Sequence, residues 1–135
     1  LSEALLELVG KAEIVIIDSS ATLGEHTMAA LKPTDETIVV TNPDLPSVMA
    51  AKKTVLLAQE TGSVVAGIVV NRIQNRSYEI PIEEIASLTR KPVLAAVPED
   101  KNVAKAISER KPLLYAYPAS KAAQEFKHLA RLLDT

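Results

Sequence analysis

The stretch Ile14-Val15-Ile16-Ile17-Asp18-Ser19-Ser20-Ala21 joins four aliphatic residues to an acid and a run of small residues. An unbroken aliphatic run before polar residues is typical of a strand buried on both faces of a parallel sheet. Open α/β sheets bind their ligands at the carboxyl ends of such strands. The sequence therefore predicts a strand over residues 13–18, with the Asp18 carboxylate at a ligand-binding edge.

Outside this stretch, strand-type and helical patterns alternate along the chain. Further strands are predicted over residues 36–41, 64–71, 92–97 and 113–115. Helices are predicted over residues 2–9, 25–31, 45–61 and 82–88, from Asp100 through Ile107, and from Ser120 to about Leu133. This alternation predicts an α/β fold, with a mostly parallel sheet, right-handed crossovers and helices on both faces.

The composition fits a single α/β domain over residues 1–135. The hydrophobic share is 47% while aromatic residues make up only 3%, so the core is expected to be aliphatic. A net charge of -2 does not indicate a nucleic-acid partner. The sequence has no cysteine, which excludes thiolate metal sites and cysteine-held iron–sulfur clusters from this chain and fits the reducing cytoplasm.

The ends of the sequence also carry information. Glu3 and Glu7 lie among the first leucines, which argues against a signal peptide, and we expect a soluble, cytoplasmic protein. The first residue is Leu1 rather than a methionine, which indicates a piece of a longer protein.

Asp18 is a candidate ligand of a magnesium shell. Mg²⁺ prefers hard oxygen ligands, keeps several waters, and is often held through one or two carboxylates and the phosphates of a substrate. Small polar residues follow Asp18 as far as Gly24, and such a loop can move. An Asp at this position also commonly caps a loop, and this alternative stays open.

Two other polar segments follow predicted strands. Asn71 offers both a donor and an acceptor, as the edge of a purine ring requires, although it also suits a loop cap. Arg72 beside it suits a solvated or ion-paired side chain. The segment Pro98-Glu99-Asp100 suits a helix start, with its acids at the positive end of the helix dipole, or a ligand contact through its backbone.

Together these motifs resemble the C-terminal half of the MinD/ParA family of P-loop ATPases. The resemblance covers essentially the whole chain, and its strength lies in the order and spacing of five segments. The matching segments are Ile14 to Ser19 with Ala21, Asp35 to Pro43, Val69-Val70-Asn71-Arg72, Val97-Pro98-Glu99-Asp100 with Val103, and Pro118-Ala119-Ser120. The resemblance implies a P-loop NTPase-like, three-layer α/β/α fold.

The resemblance also implies roles for individual residues. It makes Asp18 the Walker B acid, which positions Mg²⁺ through water. It makes Asn71, with Arg72 beside it, the adenine-reading edge, and Pro98, Glu99 and Asp100 a wall of the adenine pocket. The switch loop that senses the γ-phosphate corresponds to Ser19, Ser20, Ala21, Thr22 and Gly24. The implied cofactor is Mg-ATP, bound by an intact parent that forms a homodimer.

The sequence departs from the family pattern in ways that matter for activity. The phosphate loop GxxxxGK[ST] is absent, because Gly10-Lys11 lacks a first glycine at Leu5 and a hydroxyl at Ala12. We therefore expect this chain alone neither to hydrolyse ATP nor to bind it tightly. Ser20 and Thr22 replace the proline and glycine that the family usually carries in the switch loop. The basic membrane tail of MinD is also missing after Thr135, so no direct membrane anchor is expected.

The missing phosphate-loop strand has a physical consequence. In the family it lies between the strands that correspond to residues 13–18 and 36–41, so this fold is incomplete and the N-terminal half is an expected partner. Unpaired strand edges are unfavourable. We expect the two strands to close up, another chain to fill the slot, or the fold to be marginal.

Two other functions remain open on the sequence. The altered switch loop is compatible with an interaction module that keeps the fold without binding nucleotide. A phosphoryl-receiver domain would use Asp18 as acceptor and Lys91-Pro92 as its Lys-Pro pair. Receivers, however, place that lysine after a strand and need an early acidic pair, which makes this the weaker alternative.

Overall fold

A computed structural model describes residues 10–19 and 34–134 of the chain. The helices predicted over residues 2–9 and 25–31 lie outside the described residues. So do Ser20, Ala21, Thr22 and Gly24 of the predicted switch loop.

The described core is a parallel sheet with three strands. Strand β1 spans Glu36–Thr41, β2 spans Val64–Ile73 and β3 spans Val93–Pro98. Their spatial order is β1-β2-β3, and both pairs are parallel. The predictions of these three strands and of their parallel pairing are therefore confirmed.

Five helices connect and follow the described strands. Their bounds are α1 Leu45–Glu60, α2 Ile82–Thr89, α3 Lys101–Ser108, α4 Leu113–Ala116 and α5 Lys121–Leu133. Asp44 caps the start of helix α1, because its carboxylate accepts a hydrogen bond from the Ser47 amide at 2.9 Å. It ends before Gly62, whose φ of 83° suits glycine. The sequence predicted both ends of this helix.

Helices cover both faces of the sheet. On one face, Val39 of β1 and Ile68 of β2 belong to a buried cluster with Val48 of α1 and Ile85 of α2. On the other face, Val69 and Val97 pack with Ala122 of α5. The three-layer arrangement agrees with the fold class predicted from the sequence.

The strand predicted over residues 13–18 is not formed. Residues 14–19 carry neither strand nor helix, and Ile14 and Ile16 are 63% and 86% exposed. A strand is stabilised by a hydrogen-bonded neighbour and by packing on its faces, and within the described residues the sheet ends at β1. The aliphatic run therefore has the composition of a buried strand, but it lacks a neighbouring strand to pair with among the described residues. Of the three expected outcomes, closing up against β1 is excluded for this structure.

The short strand predicted over residues 113–115 is also wrong, because this segment is helix α4. The Pro112 carbonyl accepts hydrogen bonds from the amides of Tyr115 and Ala116, both at 3.0 Å, which closes a helical turn. A run of three apolar residues is too short for periodicity to distinguish a strand from a helix.

Candidate functional site

The carboxyl ends of the three strands meet at one edge of the sheet. Thr41 of β1 pairs with Val70 of β2, and Val70 pairs with Ala96 of β3. Asn71 therefore lies in the last part of β2, close to the level where β1 and β3 end. The strand register brings together two of the segments that the sequence singled out, Asn71-Arg72 and Pro98 to Asp100.

Strand β2 contains one extra residue at this edge. Between consecutive pairs with β3, β2 advances from Val70 to Ile73 while β3 advances only from Ala96 to Pro98. Arg72 lies inside this irregularity with a φ of 59°. Bulges of this kind redirect side chains and are common next to binding sites.

An ion pair connects the bulge to the next loop. Arg72 Nε donates to Glu99 Oε2 at 2.8 Å, and the Glu99 amide donates to the Ile73 carbonyl at 2.9 Å. The pKa of Arg72 is raised, because the guanidinium donates a hydrogen bond to the Glu99 carboxylate and the two carry opposite charges. Of the two interpretations of Arg72, ion pairing is the one that the structure adopts.

Asp100 holds the starts of two helices. Its carboxylate accepts hydrogen bonds from the amide of Asn102 in α3 at 2.9 Å and from the amide of Ala122 in α5 at 3.3 Å. These amides lower the pKa of Asp100, with the Asn102 hydrogen bond as the main cause and the Ser120 hydroxyl as a further one. The helix-start interpretation of this acid is therefore confirmed, and its carboxylate is occupied by the protein itself.

Asn71 differs from Arg72 and Asp100 in its hydrogen bonding. The residue is partly buried, and within the described part of the chain its amide group forms no hydrogen bond. Asn42, which follows β1, lies at the same edge and is also partly buried. The sequence pattern by itself gives Asn42 no candidate role in binding, and the pairing of Thr41 with Val70 is what places it near Asn71.

A shallow cleft of about 260 Å³ lies beside this edge. Its walls include Pro43, Ile73 and Ile80, and the Ile80 amide donates to the Pro43 carbonyl at 2.8 Å. The Glu79 carboxylate accepts hydrogen bonds from the backbone amides of Gln74 and Arg76, at 2.9 and 3.3 Å, and closes this loop on itself. The edge therefore combines apolar walls with amide groups.

Asp18 and Ser19 are exposed and follow the unpaired aliphatic run. No hydrogen bond or ion pair connects Asp18 to another described residue. The described residues thus bring Asn71, Arg72 and the 98–100 segment together without linking Asp18 to them.

Among the described residues, no helix has both the length and the apolar composition that a membrane span requires.

A family model described as 4Fe-4S iron sulfur cluster binding proteins of the NifH/frxC family matches residues 22–135. The cluster itself does not fit this chain, because none of its residues is a cysteine. Within residues 10–19 and 34–134, no group of three or more His, Cys, Asp or Glu residues could hold a metal ion. The family match therefore applies to this chain without iron–sulfur chemistry.

Similarity to individual proteins extends over nearly the whole chain. The chain is 37% identical to an uncharacterized ATP-binding protein of Methanocaldococcus jannaschii, over 98% of the chain and 50% of that protein. It is 31% identical, with a TM-score of 0.91, to the septum site-determining protein MinD of Pyrococcus horikoshii, whose structure contains Mg-ADP. It is 29% identical, again with a TM-score of 0.91, to the cell division ATPase MinD of Pyrococcus furiosus.

These alignments cover 98% of this chain but only 55% and 56% of the two MinD chains. The chain therefore spans about half the length of the relatives that it matches. The similarity confirms the α/β fold class, with a parallel sheet between layers of helices.

Proposed function

Because the chain belongs to the NifH/frxC family and is similar to MinD ATPases over nearly its whole length, we propose that it is the C-terminal half of a MinD/ParA-like ATPase. In the intact parent, Mg-ATP acts as a dimerisation switch that serves cell division, partitioning or protein positioning. This chain contributes the adenine-binding edge and the magnesium-positioning acid. It does not hydrolyse ATP alone, since its sequence lacks the GxxxxGK[ST] loop.

The observation that carries this proposal is the meeting of Asn71 with the 98–100 segment at one sheet edge. The side-chain amide of Asn71, which has no hydrogen-bond partner among residues 10–19 and 34–134, can donate and accept in the plane of a purine edge. Adenine and guanine present opposite donor and acceptor patterns at their six-position, so a fixed amide distinguishes the two. Pro98 and the backbone of Glu99 form the neighbouring wall, while the Asp100 carboxylate keeps that wall in place.

Asp18 and the loop after it act on the phosphate side. The Asp18 carboxylate would help to hold Mg²⁺, and the ion would neutralise phosphate charge when bound with nucleotide. Ser19, Ser20, Ala21, Thr22 and Gly24 form the switch loop of the parent. The substitutions at Ser20 and Thr22 weaken its response to the γ-phosphate, because Thr22 lacks the backbone freedom of glycine.

The adenine assignment can be tested on the 135-residue chain without the phosphate loop. The isotopically labelled chain is titrated with adenosine and with guanosine while amide chemical shifts are recorded. We expect saturable shifts at Asn71, Arg72 and Glu99 with adenosine, with a dissociation constant on the order of 1 mM, which corresponds to about 4 kcal/mol. Guanosine is expected to produce smaller shifts at the same amides.

The matched variants are Asn71→Ala and Gln74→Ala, each of which removes one side-chain amide near the end of β2. Asn71→Ala is expected to weaken adenosine about tenfold, since one lost hydrogen bond to a desolvated polar edge costs about 1–3 kcal/mol. Gln74→Ala leaves binding unchanged, because only the backbone of Gln74 is used in the loop. Equal responses to the two nucleosides, or shifts scattered away from this edge, would contradict the assignment.

The second candidate is an interaction module that keeps this fold without binding nucleotide. The observation that favours it is the pair of departures at Ser20 and Thr22 in the switch loop. The phosphoryl-receiver alternative has less support, because Lys91-Pro92 precedes β3 and lies at the opposite edge of the sheet from Asn71. A chain that folds but shows no nucleoside response anywhere would favour the interaction module.

A further inference from the structure

Among the described residues outside glycine, Arg72, Asn75, Arg90 and Arg110 have a positive φ. Arg72 is the one of these that lies within a strand, while Arg90 ends α2 and Arg110 follows α3. Left-handed backbone is uncommon and strained for a residue with a long side chain. A strained arginine inside the central strand, next to Asn71, therefore needs a reason.

Fold stability does not supply that reason. The Arg72 and Glu99 side chains are 62% and 43% exposed, and ion pairs between exposed side chains contribute little to stability. The left-handed conformation opposes even that small gain. The pair does, however, add a side-chain contact between the β2 bulge and the residue after β3, beside the backbone hydrogen bond from Glu99 to Ile73.

The geometry shows what the pair holds. The bulge releases Asn71 and Arg72 from regular pairing between Val70 and Ile73, and pairing resumes where the Glu99 amide meets the Ile73 carbonyl. The Arg72 to Glu99 contact of 2.8 Å links the bulge of β2 to the residue that follows β3.

We propose that Arg72 is a positioning residue of the adenine edge, which acts through its left-handed backbone and its pair with Glu99 to fix Asn71 against the Pro98–Glu99 wall. This inference rests on the proposed function and names the device that sets its purine specificity. Arg72 itself does not contact the base.

The test separates binding from stability. Arg72→Gly removes the pair and also relieves the left-handed strain, so its midpoint of thermal unfolding is expected to equal or exceed that of the parent sequence. Its dissociation constant for adenosine is expected to rise at least fivefold, and its preference over guanosine to fall. Arg90→Gly is the matched control, since it relieves the same strain at the end of α2. We expect its dissociation constants for adenosine and guanosine to stay within twofold of those of the parent sequence.

Charge variants distinguish the effect of the Arg72–Glu99 ion pair on adenosine binding from the effect of the Arg72 backbone conformation. Glu99→Gln keeps the Arg72 backbone and is expected to weaken adenosine about threefold, while the double exchange Arg72→Glu with Glu99→Arg restores part of the loss. Adenosine binding that survives Arg72→Gly and Glu99→Gln unchanged overturns the inference on Arg72 alone. If the unmodified chain binds no adenosine, the adenine assignment fails and the inference fails with it.

Discussion

At the scale of single residues, the edge of the sheet divides its polar groups into two kinds. The carboxylates of Asp100 and Glu99 accept hydrogen bonds from other groups of the protein. The side-chain amide of Asn71 has no hydrogen-bond partner among the described residues. The first kind fixes the shape of the edge and the second is available to a ligand. Burial and motif position alone do not make this distinction, because it depends on which hydrogen bonds are already made.

Asp100→Ala is expected to destabilise the fold by about 1 kcal/mol or slightly more, since it removes an N-cap of α3 and a second acceptor for α5. Asp35→Ala is the matched control, because Asp35 is exposed and precedes β1. Urea denaturation of both variants measures the difference. Equal midpoints for the two variants would contradict the double role of Asp100.

The same carboxylate predicts a pH dependence. The pKa of Asp100 is lowered in the folded chain, so the folded state holds the charged form more strongly than the unfolded chain, whose Asp pKa is about 3.9. The contribution is therefore complete above about pH 4 and is lost as pH falls through the folded pKa. Comparing the acid unfolding of the parent sequence and Asp100→Ala should show curves that converge below pH 4. A gap that stays constant to pH 2 would contradict this assignment.

The sequence predicted part of the site at this scale. Asn71, the cap at Asp100 and the common edge follow from local patterns and from the direction of parallel strands. The left-handed Arg72 and its contact with Glu99 do not, because they depend on a register irregularity between residues that are far apart in sequence. Asn42 was missed for a similar reason, since its neighbour across the sheet is set by strand pairing.

At the scale of elements, β2 holds the sheet together because it pairs with both other strands. Its Gly67 faces a close approach: a Cβ there would lie 2.6 Å from Leu94 Cγ and 2.7 Å from the Pro92 carbonyl oxygen. Backbone cannot move aside as easily as the end of a side chain. Gly67 is therefore required by the packing of β2 against the start of β3.

Gly67→Ala is expected to destabilise the chain by about 1–3 kcal/mol, the usual range for an overpacked core position. The double variant Gly67→Ala with Leu94→Ala should recover little of the loss, since the Pro92 carbonyl still blocks the methyl group. Thermal unfolding followed by circular dichroism measures both. A fully restored midpoint in the double variant would show that the side chain alone, and not the backbone, limits this position.

The sequence predicts an element correctly where the residues that begin, end and pack the element all lie within or next to it. Helix α1 has a capping acid, a proline in its first turn and a glycine just after its end. Strands β1 and β2 have β-branched runs between turn residues, and β3 has an aliphatic run that ends at Pro98. The run at residues 14–17 has an equally strong pattern, yet the structure does not form that strand. A pattern states what a segment can become, whereas a strand also needs a neighbour.

At the scale of the whole molecule, the described structure is a three-stranded sheet with an open edge at β1 and an aliphatic segment outside it. In dilute solution, the amides of Val15 and Ile17 are expected to exchange with deuterium nearly as fast as in an unfolded chain. The amides of Ile68 and Val70 in β2 should be protected, because that strand is paired on both sides. Protection of Val15 and Ile17 equal to that of β2 would show that the segment is paired in solution.

The exposed residues Ile14, Val15 and Ile16 have a practical consequence for handling this protein. Short aliphatic segments without charge favour the stacking of chains into aggregates, and so do strand edges that lack a partner strand. We therefore expect the concentration at which the chain remains dispersed to depend more on these three residues and the β1 edge than on the buried core. Purification yield and storage life should respond to a single lysine placed at Ile16, a position that is 86% exposed, without any change in the folded sheet.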